Sequence, residues 1–130
     1  MTPLHYACIN PNVEVLDKLL EQNPDINVMD MHLNKPIHFA ACCTSAAPLE
    51  LLISKGANVN DLNNYKRTAL HFAAINGRAE AIRVILANQR NVFKMRDRKN
   101  MTAFAYACQL GELEPIKAFL DSGVVKINAG

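Results

Sequence analysis

Apolar and polar positions along the chain form a block that returns at a nearly constant interval. Thr2-Pro3-Leu4-His5-Tyr6-Ala7-Cys8 comes back 33 residues on as Lys35-Pro36-Ile37-His38-Phe39-Ala40-Ala41. It recurs after another 33 as Thr68-Ala69-Leu70-His71-Phe72-Ala73-Ala74, and after 34 as Thr102-Ala103-Phe104-Ala105-Tyr106-Ala107-Cys108. A second block keeps the same phase: Val15 to Leu20, Leu49 to Ile53, Ile82 to Leu86 and Ile116 to Leu120, each with apolar residues at helical spacing. A third block closes each unit at Asn23 to Asn27, Gly56 to Asn60, Gln89 to Phe93 and Gly123 to Asn128. Self-similarity at a fixed period marks a repeat architecture.

Each unit predicts two helices and a turn. Pro at the first turn pre-sets φ for a short helix, and the Leu-His-aromatic-Ala-Ala stretch forms it. Ala sits where a neighbouring helix must come close. Breaks follow at Asn10-Pro11-Asn12, Thr44-Ser45, Asn76-Gly77 and Leu110-Gly111. The second block is the second helix, with Pro48 and Pro115 in its first turn, where the missing N–H does no harm. Gly56 and Gly123 stand just past its end, where a left-handed cap is wanted. The Asn-rich remainder leads to the next unit.

This pattern resembles the ankyrin repeat over essentially the whole chain. The Thr-Pro-Leu-His-x-Ala motif is complete at residues 2–7 and nearly so at 35–40 and 68–73. The resemblance implies an all-α solenoid of antiparallel helix pairs with projecting β-hairpin-like loops. The repeats would fall at about 1–29, 30–62, 63–96 and 97–130. It further implies that His5, His38 and His71 hydrogen-bond backbone of the neighbouring loop and are structural. Asn27 and Asn60 match the position hydroxylated in some family members, although turn chemistry accounts for Asn there without it.

Departures from the family pattern are expected to show locally. The family's turn glycine is replaced by Leu33, Lys66 and Asn100. Leu and Lys tolerate positive φ poorly, so the first two turns should be remodelled or strained. Ala105 replaces the fourth histidine, and one extra residue lies near Arg90 to Met95. Repeat one has the apolar faces of an internal unit, and the chain enters at the motif's Thr. The expectation is an array cut at both ends.

Composition agrees with many thin helices and many turns. The chain has 130 residues, 17 of them Ala and 14 Asn, with no Trp. No apolar run approaches the roughly 18 residues of a membrane span, and no secretory signal is visible. Cys8, Cys42, Cys43 and Cys108 do not suggest a disulfide framework, since two are adjacent. An intracellular setting, cytoplasmic or nuclear, is expected. Cys8 and Cys108 hold the second Ala position and should be buried core thiols. His38 and Cys42 share a helix face, yet with Cys43 and His32 they match no known zinc pattern.

Charge is uneven. Residues 63–99 carry nine basic and two acidic side chains, a net of +7; the remainder has five basic and ten acidic, a net of −5. No catalytic motif, phosphate loop or metal-ligand pattern stands out, so neither an enzymatic activity nor a cofactor is expected. The leading expectation is a non-catalytic protein–protein interaction module or scaffold. By the family pattern its concave face would use Met31, His32 and Asn34, then Asn64, Tyr65 and Arg67, then Arg98, Lys99 and Met101. The first helices would add Cys43, Ile75, Asn76 and Gln109, with Tyr65 and Arg67 as the anchors. The partner would be another protein or peptide, acidic or phosphorylated near residues 63–101, and no small-molecule substrate. Alternatives are an electrostatic binder of nucleic acid or anionic lipid through 63–99, or the regulatory arm of a larger enzyme or channel.

Overall fold

The computed structural model describes residues 2–124. Eight α-helices follow one another: α1 (Pro3–Ile9), α2 (Glu14–Glu21), α3 (Pro36–Cys42), α4 (Ala47–Ser54), α5 (Ala69–Ile75), α6 (Ala79–Asn88), α7 (Ala103–Leu110) and α8 (Leu113–Asp121). A 3₁₀ helix, Arg90–Lys94, lies between α6 and α7. Among the described residues there is no strand, only a single antiparallel bridge between Arg96 and Thr102.

The odd-numbered helices form an inner layer, in which α1 packs on α3, α3 on α5 and α5 on α7. The outer layer stacks α4 on α6 and α6 on α8. Ala40, Ala41, Ala73, Ala74 and Ala107 are buried in the inner layer, where a larger side chain would hold the helices apart. Leu16, Leu49, Leu52, Ile82, Ile85 and Phe119 fill the space beneath the outer layer. The core is thus a row of contacts between neighbours, as a repeat stack requires.

The most exacting joint in this stack is a histidine. The backbone N–H of Thr2, Lys35 and Thr68 donates to Nδ1 of His5, His38 and His71 at 3.0, 2.9 and 3.1 Å. Their Nε2 atoms lie 3.0, 2.9 and 2.9 Å from the carbonyls of Val28, Asp61 and Met101. A carbonyl only accepts, so Nε2 carries the proton and Nδ1 is bare. Each ring also packs on an aromatic of the next repeat: His5 on Phe39, His38 on Phe72 and His71 on Tyr106, with centroids 5.0, 5.5 and 6.1 Å apart. Tyr6 holds the same repeat position without a preceding ring and is exposed.

The extra residue near Arg90–Met95 changes the third joint. His5 and His38 take carbonyls 23 residues on, whereas His71 reaches 30 residues on, to Met101 at the end of the turn. The 3₁₀ segment absorbs the insertion. Val92 is buried in it, and Phe93 stacks near Phe119 at 6.5 Å.

The turns carry a left-handed residue at the positions where the resemblance implies glycine. Leu33, Lys66 and Asn100 have φ of 63°, 57° and 62°. The first two turns are therefore not remodelled, and the strain anticipated for them sits in a left-handed backbone bearing a Cβ. Leu33→Gly and Lys66→Gly are each expected to raise stability by about 0.5–1 kcal/mol, relief of the left-handed cost less the entropy glycine adds to the unfolded chain. Denaturant midpoints check this, with Gly placed at the neighbouring Met31 as a destabilising control.

Burial holds the pKa of His38 and of His71 below the ordinary value, and the hydrogen bonds to Asp61 and Met101 only partly offset it. The folded state therefore binds fewer protons than the unfolded chain, and stability rises with pH. It should be flat above about pH 7 and fall below the unfolded value near 6.5, by at most about 1.4 kcal/mol per pH unit for each ring. Urea titrations between pH 8 and 5 measure the slope, and a flat profile would contradict the neutral-ring joint.

Candidate binding surface

Three five-residue turns project in a row from the start of the inner helices: residues 30–34, 63–67 and 97–101. One side chain organises each. Asp30 Oδ1 accepts the amides of His32 and Asn34, Asn63 Oδ1 those of Tyr65 and Arg67, and Asp97 Oδ1 those of Lys99 and Met101, at 2.8–3.0 Å. The same three residues also pair through backbone with the last turn residue. These acceptors escaped the sequence reading. Their signal was an Asp or Asn recurring at one repeat phase, 33 and 34 residues apart.

The turns are tied side by side. The Asn64 amide donates to the His32 carbonyl at 3.1 Å, and the Arg98 amide to that of Tyr65 at 2.9 Å. The Asn63 side chain donates to Asn34 Oδ1 at 2.9 Å, and Arg98 Nε donates to the Asn64 carbonyl. Met31, Asn34, Asn64, Tyr65, Arg98 and Lys99 are thereby brought into one row, with His32 exposed on it. Asn34 is occupied within the row by Asp30 and Asn63. Met31, at 88% exposure, Tyr65, at 48%, and Leu33, at 45%, are its open apolar side chains.

Arg67 is placed differently from a free anchor. Its Nε donates to Asp97 Oδ2 at 3.2 Å, and its Nη2 to the Tyr106 hydroxyl at 3.2 Å. Its guanidinium lies 5.1 Å from the Tyr65 ring centroid and 5.5 Å from that of Tyr106. The Tyr106 hydroxyl donates to the same Asp97 oxygen. The Asp97 side chain is fully buried. Burial alone would raise its pKa, but hydrogen bonds from Tyr106, the Met101 amide, Arg67 and the Lys99 amide outweigh it and hold the carboxyl near 2. Arg67 is thus a lock between repeats three and four, and its charge is already matched. By contrast Lys66, Arg96, Arg98 and Lys99 are exposed and take part in no carboxylate ion pair among the described residues.

The helix candidates divide. Asn76 and Gln109 are exposed, and Ile75 is half-buried. Cys43 is 2% exposed and its Sγ donates to the Ile9 carbonyl at 3.1 Å, so it leaves the candidate surface. Asn76 donates to the Phe72 carbonyl and to Cys42 Sγ, which stiffens that end of α5. Met101 is half-buried, with its carbonyl taken by His71.

The thiols also sort by environment. Burial pushes Cys8 up to about 12, and it lifts Cys42 to about 11 against the opposing effect of Arg78, so neither is a thiolate at neutral pH. Cys108 is exposed, contrary to its expected place in the core. Its counterparts Ala41 and Ala74 are each covered by the helix pair that follows, and no described helix pair covers Cys108. His38 and Cys42 do not form a ligand pair: both ring nitrogens of His38 are bonded to backbone, and Cys42 Sγ donates to the His38 carbonyl. Among the described residues no three His, Cys, Asp or Glu side chains cluster as a metal site.

A family model described as ankyrin repeats (3 copies) matches residues 1–63 and again residues 37–129. No curated protein matches the chain.

Asp97 offers a graded test of the turn. Asp97→Asn keeps an Oδ1 acceptor, as Asn63 does, and should cost about 1 kcal/mol through the lost charge partner of Arg67. Asp97→Ala should cost about 2–4 kcal/mol, because two amides, Arg67 and the Tyr106 hydroxyl lose their acceptor at once. Equal losses for the two variants in chemical denaturation would contradict the division of labour between its oxygens.

Proposed function

The chain belongs to the ankyrin-repeat family, and from that premise we propose that its turn row binds an acidic segment of a partner protein. Ankyrin repeats generally mediate protein–protein interaction and are typically non-catalytic. The observation that carries the finer reading is the contrast between Arg67 and its neighbours. Asp97 neutralises Arg67, while Lys66, Arg98 and Lys99 stand exposed without a carboxylate.

Tyr65 contributes the anchor. Its ring is backed by the Arg67 guanidinium, which holds it in place at low entropic cost, and its outer side is open. Met31 adds a flexible apolar contact at one end of the row, and Asn76 and Gln109 flank it on the inner helices. Carboxylates or phosphates beside an aromatic or aliphatic side chain suit such a surface. A neutral peptide would leave three cations without partners, and a basic one would be repelled.

A second reading has one observation in its favour. The +7 segment could attract any polyanion, nucleic acid or anionic lipid included. Against it, Tyr65 and His32 are the exposed rings in the three turns, too few for an extended base-stacking platform.

Labelled acidic peptides with Glu flanking one Phe provide the probe. Arg98→Glu with Lys99→Glu should weaken binding by about tenfold or more, and Tyr65→Ala by several-fold, while Arg67→Ala should chiefly lower stability. Unchanged affinity in the charge-reversed variant would sink the turn-row site. Salt-sensitive binding of random duplex DNA, or of vesicles containing phosphatidylserine, at the affinity of the peptide would favour the second reading.

A further inference from the structure

The outer helices carry a surface of the opposite character. A groove of about 430 Å³ lies between α2 and α4, lined by Val13, Asp17, Ala47, Glu50 and Leu51. Another of about 320 Å³ lies between α4 and α6, lined by Glu50, Ile53, Ser54, Val84, Ala87 and Asn88. Glu50 walls both, so they are two stretches of one trough. Its apolar side chains are only half-buried: Val13, Leu51, Ile53 and Val84.

The trough's charge is one-sided. Asp17 and Glu50 are exposed on its walls, and Glu14, Glu21 and Glu80 are exposed on the same helices. None of these five carboxylates is in an ion pair among the described residues. Of the basic residues on those helices, Arg83 is paired with Asp121, which leaves Lys18. With Lys55, exposed at the C-terminal cap of α4, the unpaired charges of this side are therefore five acids against two bases. An apolar partner would have to strip water from Asp17 and Glu50 without replacing it, which costs free energy. An acidic partner would be repelled.

We infer that this trough is a second docking surface, distinct from the turn row, for a cationic amphipathic segment of another protein. The segment's aliphatic side chains enter the two grooves, each with room for one or two. Its Lys or Arg groups meet Glu50, shared between the grooves, and Asp17 at the α2 end. The two surfaces take partners of opposite charge, so the chain can hold an acidic and a basic segment at once.

The test uses a designed helical peptide about four turns long, with Lys along one side and Leu along the other, and a control in which every Lys is Glu. Fluorescence anisotropy with the whole chain should show salt-sensitive binding of the Lys peptide and none of the Glu peptide. Asp17→Lys with Glu50→Lys should weaken it by about tenfold, equivalent to about 1.4 kcal/mol. Both sites are exposed, and circular dichroism with thermal melts verifies that the fold is intact. Arg98→Glu with Lys99→Glu should leave the Lys peptide's affinity unchanged. Binding that survives the Asp17/Glu50 reversal, or that the Arg98/Lys99 reversal removes, overturns the proposal. So does concentration-dependent dimerisation in sedimentation that the Asp17/Glu50 reversal abolishes, since the trough would then take a second copy of the chain.

Discussion

A neutral imidazole with both nitrogens engaged is the constraint on which the stack rests. Each of His5, His38 and His71 closes the first turn of its own helix and reaches across to backbone in the region of the following turn. The same ring supports an aromatic of the next repeat. No other neutral side chain supplies an acceptor and a donor at opposite edges of a rigid ring. A carboxylate cannot donate, and an amide side chain lacks the flat apolar faces. A second proton on Nδ1 would face a backbone N–H, and at His38 and His71 burial also opposes the charged ring, so geometry and burial both favour the neutral form there.

The turns solve a related problem with a cheaper device. Their amides are aimed at a single acceptor oxygen, and either an amide or a carboxylate serves. Asn63 does this in the middle turn without adding charge. Asp30 and Asp97 add a second oxygen, which Asn34 takes in one turn and Arg67 with Tyr106 in the other. The extra oxygen of Asp97 binds repeats three and four together, across the junction that His71 also spans. Ala105 leaves its helix with a Thr102 cap alone.

Much of the architecture was legible in the sequence because local chemistry repeats. Pro36, Pro48 and Pro115 start helices, Gly56 and Gly123 end them, and the histidine phase identified a structural role before any contact was visible. What was not legible depends on distance along the chain. Arg67 looked like a free surface cation because its partner Tyr106 is 39 residues away. Cys43 shares a repeat position with the exposed Asn76, yet its thiol turns to the Ile9 carbonyl of the preceding unit. Cys108 shares a position with buried alanines, but burial at that position is conferred by a neighbour and not by the residue. The candidate surface was legible as a set of turns; which of its cations are unspent was not.

The separation of acidic outer helices from a basic turn row gives the molecule a permanent electrical orientation. At a net charge of only +2, its long-range pull on a partner is weak as a monopole but directional as a dipole. A charged macromolecule approaching within about 10 Å at ordinary salt is turned to the complementary side before any side chain touches. Ionic strength would then act first on how often encounters begin in the right pose, and much less on how long a formed complex lasts.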